Sequence, residues 1–267
     1  MNHYISDATF KKKYCLLEID EESLLQVPAD WLQKNGLKVG DSVEIESVIA
    51  ENQDYAYRRG MDLLLNSLSK SAKTVAQLEK KLQENGFAYY SKMILNRVQE
   101  LGLADDLTYA KNYVQSKTAV SFTGINKLSS VLTQKGISRE IIEQALADYI
   151  ETQEYEHTQH CIESLNRKNA HFPPSVRRTR VLQSAVSRGF SYSMCAELLD
   201  ALLAEDAERS YQAYFEKKAT NKIRNLLKKG LEPQEILYRV SRELIPQGAD
   251  RELIARLVAE QLEGKGI

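Results

Sequence analysis

Four times along this chain a glycine is preceded, at eight and four residues, by apolar side chains: Leu78 and Leu82 before Gly86, Leu128 and Leu132 before Gly136, Val181 and Ala185 before Gly189, and Val240 and Leu244 before Gly248. A spacing of four puts each pair on one helix face, and glycine supplies the left-handed residue at which helices commonly end. A chain carrying this device four times is constrained to repeat one structural unit. The glycines stand 50, 53 and 59 residues apart, room for three helices each, and a unit of that size buries little apolar surface alone, so consecutive units must share theirs.

The flanking residues carry the repeat further. Directly after each glycine stands Phe87, Ile137, Phe190 or Ala249. In the last three repeats apolar residues follow at the fifth and ninth positions: Ile141 and Ala145, Met194 and Leu198, Leu253 and Leu257. The first repeat is out of register there. Its first helix is predicted from about Asp54, with Tyr57, Met61, Leu64, Leu65 and Leu68 on one face. Thr74 and Gln77 form a capping box for the second, and Ile94, Val98 and Leu101 mark the third. Gly102 ends that helix, and Asp105 or Asp106 caps the next.

The first fifty residues read differently. Tyr14 to Ile19 and Ser23 to Val27, separated by Asp20, Glu21 and Glu22, predict a β-hairpin. Pro28 opens a short helix carrying Trp31 and Leu32 and closed by Gly36, and Val43 to Ile49 suits either a strand or a short helix. With 12 Gly and 5 Pro in 267 residues, strand punctuation is sparse elsewhere. The expected fold is mainly α: tandem three-helix repeats forming an elongated curved array behind a small N-terminal region containing a β-hairpin. The expected divisions are an α+β region at 1–52 and repeats at 53–104, 105–150, 151–205 and 206–267.

Cys15, Cys161 and Cys195 are odd in number and distant in sequence, which argues against a disulfide framework and for a reducing compartment. No signal-like opening and no run of membrane-spanning length is evident, so a cytoplasmic protein away from membranes is expected. Only Glu154, His157, His160 and Cys161 place ligand types at helical spacing; with no second copy of a di-iron half-site they read as a solvated helix face. No nucleophile context, phosphate loop or zinc spacing appears, so no catalytic residue, metal or cofactor is assigned and a non-enzymatic protein is expected. Tyr55, Tyr57, Tyr109 and Tyr113 suit packing between helices better than base stacking.

Basic clusters remain as candidate contacts for a partner or DNA. Lys70, Lys73, Lys80 and Lys81 surround the second helix of the first repeat, and Arg177, Arg178 and Arg180 open that of the third. Lys217, Lys218, Lys222, Arg224, Lys228 and Lys229 lie in a stretch with no acid, although the formal net charge of the chain is −1. Residues 1–50 hold 5 basic and 9 acidic residues, whereas residues 206–267 hold 12 and 10.

The segment Gly102–Ile137 resembles the signature of the RecX family of regulatory proteins. The first repeat ends in GLADD, and Tyr109, Ala110, Tyr113, Val114, Gly124, Leu128, Leu132, Lys135, Gly136, Ile137, Ile142, Ala145 and Leu146 follow in the family's order, as Thr74, Leu78, Leu82 and Gly86 do before it. The resemblance is close over about residues 55–147, and the first fifty residues are similar to the extra N-terminal region of longer members. Ile125 departs from the proline common there, and residues 245–249 look like a lengthened loop. The resemblance implies an all-helical regulator that binds RecA or RecA–DNA filaments, modulates and mainly inhibits recombination and ATP hydrolysis, and so regulates DNA repair. A monomer is expected. DNA, single- or double-stranded, is the further candidate partner, and a DNA-binding repeat protein acting without RecA is the alternative.

Overall fold

The computed structural model describes residues 2–204 and 211–263. Among these, an N-terminal antiparallel sheet of order β3-β2-β1-β4 is followed by an almost wholly helical chain. The strands are β1 (Asn2–Phe10), β2 (Tyr14–Ile19), β3 (Ser23–Pro28) and β4 (Ser42–Glu44), with the short helix α1 (Trp31–Lys34) between the last two. The predicted hairpin is β2–β3: Cys15 pairs with Val27 and Leu17 with Leu25. Asp20 and Glu21, both at positive φ, make its turn, the conformation that matches strand twist.

β1 escaped sequence reading because Ile5 is its one fully buried apolar side chain and a bulge between Ile5 and Asp7 breaks the alternation. The ambiguous stretch at Val43 to Ile49 is both alternatives in turn, since β4 ends at Glu44 and α2 (Ile45–Leu68) begins at Ile45. The helix expected from Asp54 therefore starts nine residues earlier, and the expected boundary at residue 52 falls inside it. Its fully buried positions, Ile45, Val48, Asn52, Ala56, Gly60 and Leu64, share only Leu64 with the expected face, while Tyr57, Met61 and Leu68 pack half-buried against the same core. Asn52 and Gly60 disguise the buried face: Asn52 satisfies its buried amide by donating to the Val48 carbonyl at 2.9 Å, and Gly60 lets Ile94 approach. Leu65, expected inward, is exposed.

The remaining helices are α3 (Val75–Glu84), α4 (Ser91–Glu100), α5 (Asp106–Val120), α6 (Ile125–Gln134), α7 (Arg139–Thr152), α8 (Glu154–Lys168), α9 (Pro174–Ser187), α10 (Tyr192–Ala204), α11 (Gln212–Lys228), α12 (Pro233–Leu244) and α13 (Arg251–Glu263). They fall into two compact bodies, Met1–Ala119 with Ser129–Tyr149, and Val120–Leu128 with Ile150–Ile267. In the first, the sheet and α2–α4 share one core, including Leu17, Leu25, Leu64, Leu78, Phe87 and Ile94. In the second, α8–α10 enclose one core and α11–α13 another.

All eight apolar residues that define the repeat are fully buried, and the four glycines have φ between +80° and +101°. Each closes its helix with the same pair of bonds. The glycine N–H donates to the carbonyl three residues back, and the next N–H donates to the carbonyl of the second buried residue, as Phe87 does to Leu82 and Ile137 to Leu132. Residues 245–249 are not a lengthened loop. Pro246 lacks the N–H that α12 would need to continue, so Ile245–Gln247 tighten into a 3₁₀ turn and the Gly248 closure is kept.

Of the expected positions in the third helices, Ala145, Leu253 and Leu257 are buried, whereas Ile141, Met194 and Leu198 are half-buried. These helices also bury the positions one later, Ile142 and Leu146, Cys195 and Leu199, and Ile254 and Val258, six and ten residues after the glycine. In the first repeat Ile94 and Val98 take these places two residues late, displaced by the 3₁₀ turn Ala88–Tyr90. That turn accounts for the register break.

Candidate partner-binding surface

The paired aspartates of the GLADD segment divide their work. Asp105 caps α5, accepting the Leu107 N–H at 2.9 Å and the Thr108 hydroxyl, and these bonds hold its carboxyl below the usual range. Asp106 instead accepts the N–H of Val75, the first residue of α3, at 2.9 Å, and burial pushes its carboxyl up. Because the folded carboxyl titrates above its unfolded value, its contribution to stability falls as pH rises through that interval. Asp106→Ala, which loses the bond, is expected to cost about 1–2 kcal/mol in urea denaturation at pH 7. Asp106→Asn, which keeps an oxygen acceptor, is expected to cost less and to abolish the acid-side slope.

This segment belongs to a junction that occurs three times. In the first body, the Thr74 hydroxyl at the start of α3 donates to the Lys135 carbonyl at 2.7 Å, beside Gly136. In the second, the Gly124 N–H at the start of α6 donates to the Arg188 carbonyl, beside Gly189, and the Ser175 hydroxyl of α9 donates to the Gln247 carbonyl, beside Gly248. Each time a donor at the start of one helix, a side-chain hydroxyl or the Gly124 N–H, reaches a carbonyl at the glycine closure of another. The approach excludes side chains: a Cβ on Gly136 would lie 2.3 Å from that of Ala76, and one on Gly189 would lie 2.5 Å from the Lys127 nitrogen. Ile125 sits at the first helical position of α6, where proline is equally suited. The residues of the signature are thus largely structural.

The thirteen basic candidates separate by environment. Arg177 is 1% exposed, so it belongs to the interior and not to a contact surface; it donates to the Asn166 side chain at 3.2 Å and the Tyr211 hydroxyl at 2.6 Å. Arg178 holds Asp200 with both arms, at 2.6 and 2.9 Å, which raises its pKa and lowers that of Asp200. Arg180 lies 4.2 Å from the Phe172 ring centroid. Around α3, Lys80 faces Glu84 at 3.8 Å, Lys73 and Lys81 are half-buried, and Lys70 is exposed.

On α11 the six charges form two lines. Lys218 and Lys222 both face Glu243, Lys218 also donates to the Gln247 side chain at 2.7 Å, and partial burial beside Lys218 and Arg239 pulls Lys222 below the usual lysine range. Lys229, in the same angular sector, is the capping residue after the helix and is exposed. Lys217, Arg224 and Lys228 fall at spacings of seven and four, one stripe opposite the buried face of Phe215, Ala219, Ile223 and Leu226. All three are exposed and none meets an acidic group among the described residues. At 1.5 Å per residue the stripe runs about 16 Å, and Asn221 and Asn225 stand exposed beside it. Sequence alone supplied the cluster; Glu243 is what separates the occupied line from the free one.

The histidine run is split by its helix. Thr158 and Cys161 turn inward with the 6%-exposed Glu154, whereas His160 faces Glu156 and Glu163, and both histidines approach the Phe122 ring. It is therefore not one solvated face. Among the described residues no group of three or more His, Cys, Asp or Glu side chains is disposed to hold a metal ion, and no helix is long and apolar enough to cross a membrane. The three cysteines are free and buried. The four tyrosines singled out above are half-buried, with the Gln26 amide donating to Tyr55 at 3.2 Å. A cavity of about 660 Å³ near Tyr211 and Phe215 includes Arg256, which is engaged with Glu216 at 3.5 Å and Glu260 at 3.7 Å.

Fold and surface together define a helical-repeat protein whose free charge is displayed along helix faces. Residues 105–146 match the family model described as RecX, second three-helix domain. The chain is 28% identical to the regulatory protein RecX of Streptococcus sanguinis over 94% of this chain and 97% of that one, and 30% identical to that of Prosthecochloris aestuarii over 55% and 95%. Among solved structures it resembles RecX from Lactobacillus salivarius, with 27% identity, a TM-score of 0.52, and coverage of 56% of this chain and 97% of that one. The chain belongs to the RecX family of regulatory proteins.

Proposed function

We propose that this protein is a non-enzymatic regulator that binds RecA or RecA–DNA filaments and restrains recombination and ATP hydrolysis, and through them DNA repair. The observation that carries the reading is membership of the regulatory family through the repeat at 105–146. The working units in this reading are the three-helix repeats from about residue 53 onward, acting in the cytoplasm as a monomer. Several repeats on one chain make each contact after the first effectively intramolecular, so individually weak patches add up to firm attachment on a filament of identical protomers. The direct test adds the protein at substoichiometric amounts to RecA-driven ATP hydrolysis and strand exchange. Inhibition of both is expected, and no change in either assay would sink the reading.

The stripe Lys217, Arg224 and Lys228 favours a second reading, DNA binding without RecA, because three exposed cations on one helix face, without an acidic partner among the described residues, suit a row of phosphates. That reading requires affinity for bare DNA at low salt that falls steeply as salt is added. The two readings share this surface, and a filament that offers both protein and phosphate uses it in either case.

A further inference from the structure

The N-terminal sheet carries an interaction surface that the repeats do not explain. β1 pairs with β4 only through Asn2, His3 and Tyr4, and the last bonds on that side join Ile5 to Gly40 and Asp41. The bulge after Ile5 then turns the strand, and Asp7–Phe10 continue against β2 alone. Lys11 donates to the Tyr14 carbonyl at 2.8 Å, closing the hairpin, and from that closing pair the antiparallel alternation places the Thr9 and Asp7 backbone groups toward β2 and those of Ala8 and Phe10 away from it. The outward-facing N–H and C=O groups of Ala8 and Phe10 thus form an open strand edge.

Beside that edge lies a groove of about 550 Å³, lined by Ala8, Phe10, Leu32, Leu37, Lys38 and Val39. Phe10 is 61% and Val39 49% exposed, a high share for large apolar side chains at the rim of a core. Charge is sorted around it. The basic residues of the first fifty gather near it, with Lys38 in the groove, Lys34 on α1, and Lys11, Lys12 and Lys13 in the run after Phe10, against the exposed Asp7 beside Ala8. Asp30 is engaged by Lys34 at 2.7 Å and Asp41 by the Lys38 N–H, while Asp20, Glu21 and Glu22 occupy the turn at the other end of the hairpin.

We infer that this edge receives an extended acidic segment of a partner protein as an added strand. Its backbone pairs with Ala8 and Phe10, alternate apolar side chains enter the groove, and carboxylates beyond its Phe10 end face Lys11, Lys12 and Lys13. The aliphatic lining favours a peptide over a nucleic acid, since Phe10 is the single aromatic face in the groove. The site shares no residue with the basic stripe of α11.

The test uses the full chain and a fluorescein-labelled octapeptide in which alternating valine and threonine are flanked by two glutamates at each end, followed by anisotropy at low salt and by hydrogen exchange. Saturable binding is expected, with slower exchange at Ala8 and Phe10 and no change at Thr9. Peptides with lysine for glutamate, or proline for valine, are expected to bind at least about tenfold more weakly. Ala8→Pro, which removes one outward N–H and leaves the β2 pairing, and the turn variant Lys11→Glu/Lys12→Glu/Lys13→Glu are expected to weaken binding to a similar degree, with unchanged circular dichroism. Failure of the acidic peptide to bind, equal binding by the proline peptide, or binding of a labelled oligothymidylate at this edge in its place would each overturn the assignment.

Discussion

Gly189→Ala is expected to lose about 4 kcal/mol of stability, close to the whole margin of an ordinary domain. Three costs combine. Alanine at φ +93° pays about 1–2 kcal/mol for the left-handed conformation, and its methyl overlaps the Lys127 backbone at 2.5 Å. Relieving the overlap separates α6 from α9 and breaks the bonds from Gly124 to Arg188 and from Asn126 to Gly189, each worth about 1 kcal/mol. Gly102→Ala is the control, because Gly102 has φ +66° and open space where its Cβ would stand. That variant is expected to lose only the strain, about 1–2 kcal/mol. Urea denaturation of both gives the difference, and equal losses would show that close approach contributes nothing.

The second large effect concerns the α11 stripe. Lys217→Glu/Arg224→Glu/Lys228→Glu is expected to weaken DNA or filament binding by roughly two orders of magnitude and to lower the slope of log affinity against log salt by about two to three. Lys218→Ala/Lys222→Ala removes two charges from the same helix where the triple variant reverses three, and those lysines face Glu243, so a much smaller loss of binding is expected. A double variant as damaging as the triple one would reassign the contact to the inner line. Stability should order the other way: the double variant strands Glu243, whereas the triple alters only solvent-facing positions.

Much of the helical framework was legible because burial at Leu78, Leu82 and their counterparts follows a period that sequence displays directly. What stayed hidden was hidden by chemistry. The inward face of α2 uses Asn52 and Gly60, neither of which signals a core, and β1 offers one fully buried apolar side chain and a bulge in place of an alternating pattern. The basic clusters were visible as composition, but their accessibility depends on residues far along the chain. Arg177 is enclosed with Tyr211, thirty-four positions away, and Lys222 is occupied by Glu243. Charge is written in the sequence; whether a charge is spoken for is decided by the fold.

The carbonyl of Gly86 accepts the Gln26 N–H of β3 at 2.9 Å, and Leu25 bridges to Phe87. The corresponding closures at Gly136, Gly189 and Gly248 each receive the start of an earlier helix, so at Gly86 a strand fills the berth that another repeat would need. A Cβ on Gly86 would lie 2.6 Å from the Gln26 nitrogen, which leaves no room for both. Duplication of a repeat inside such a chain therefore has a direction: a new member can be spliced in after the first, but an insertion ahead of it must first evict the sheet. The sheet is an end stop, and it fixes which repeat is counted as number one.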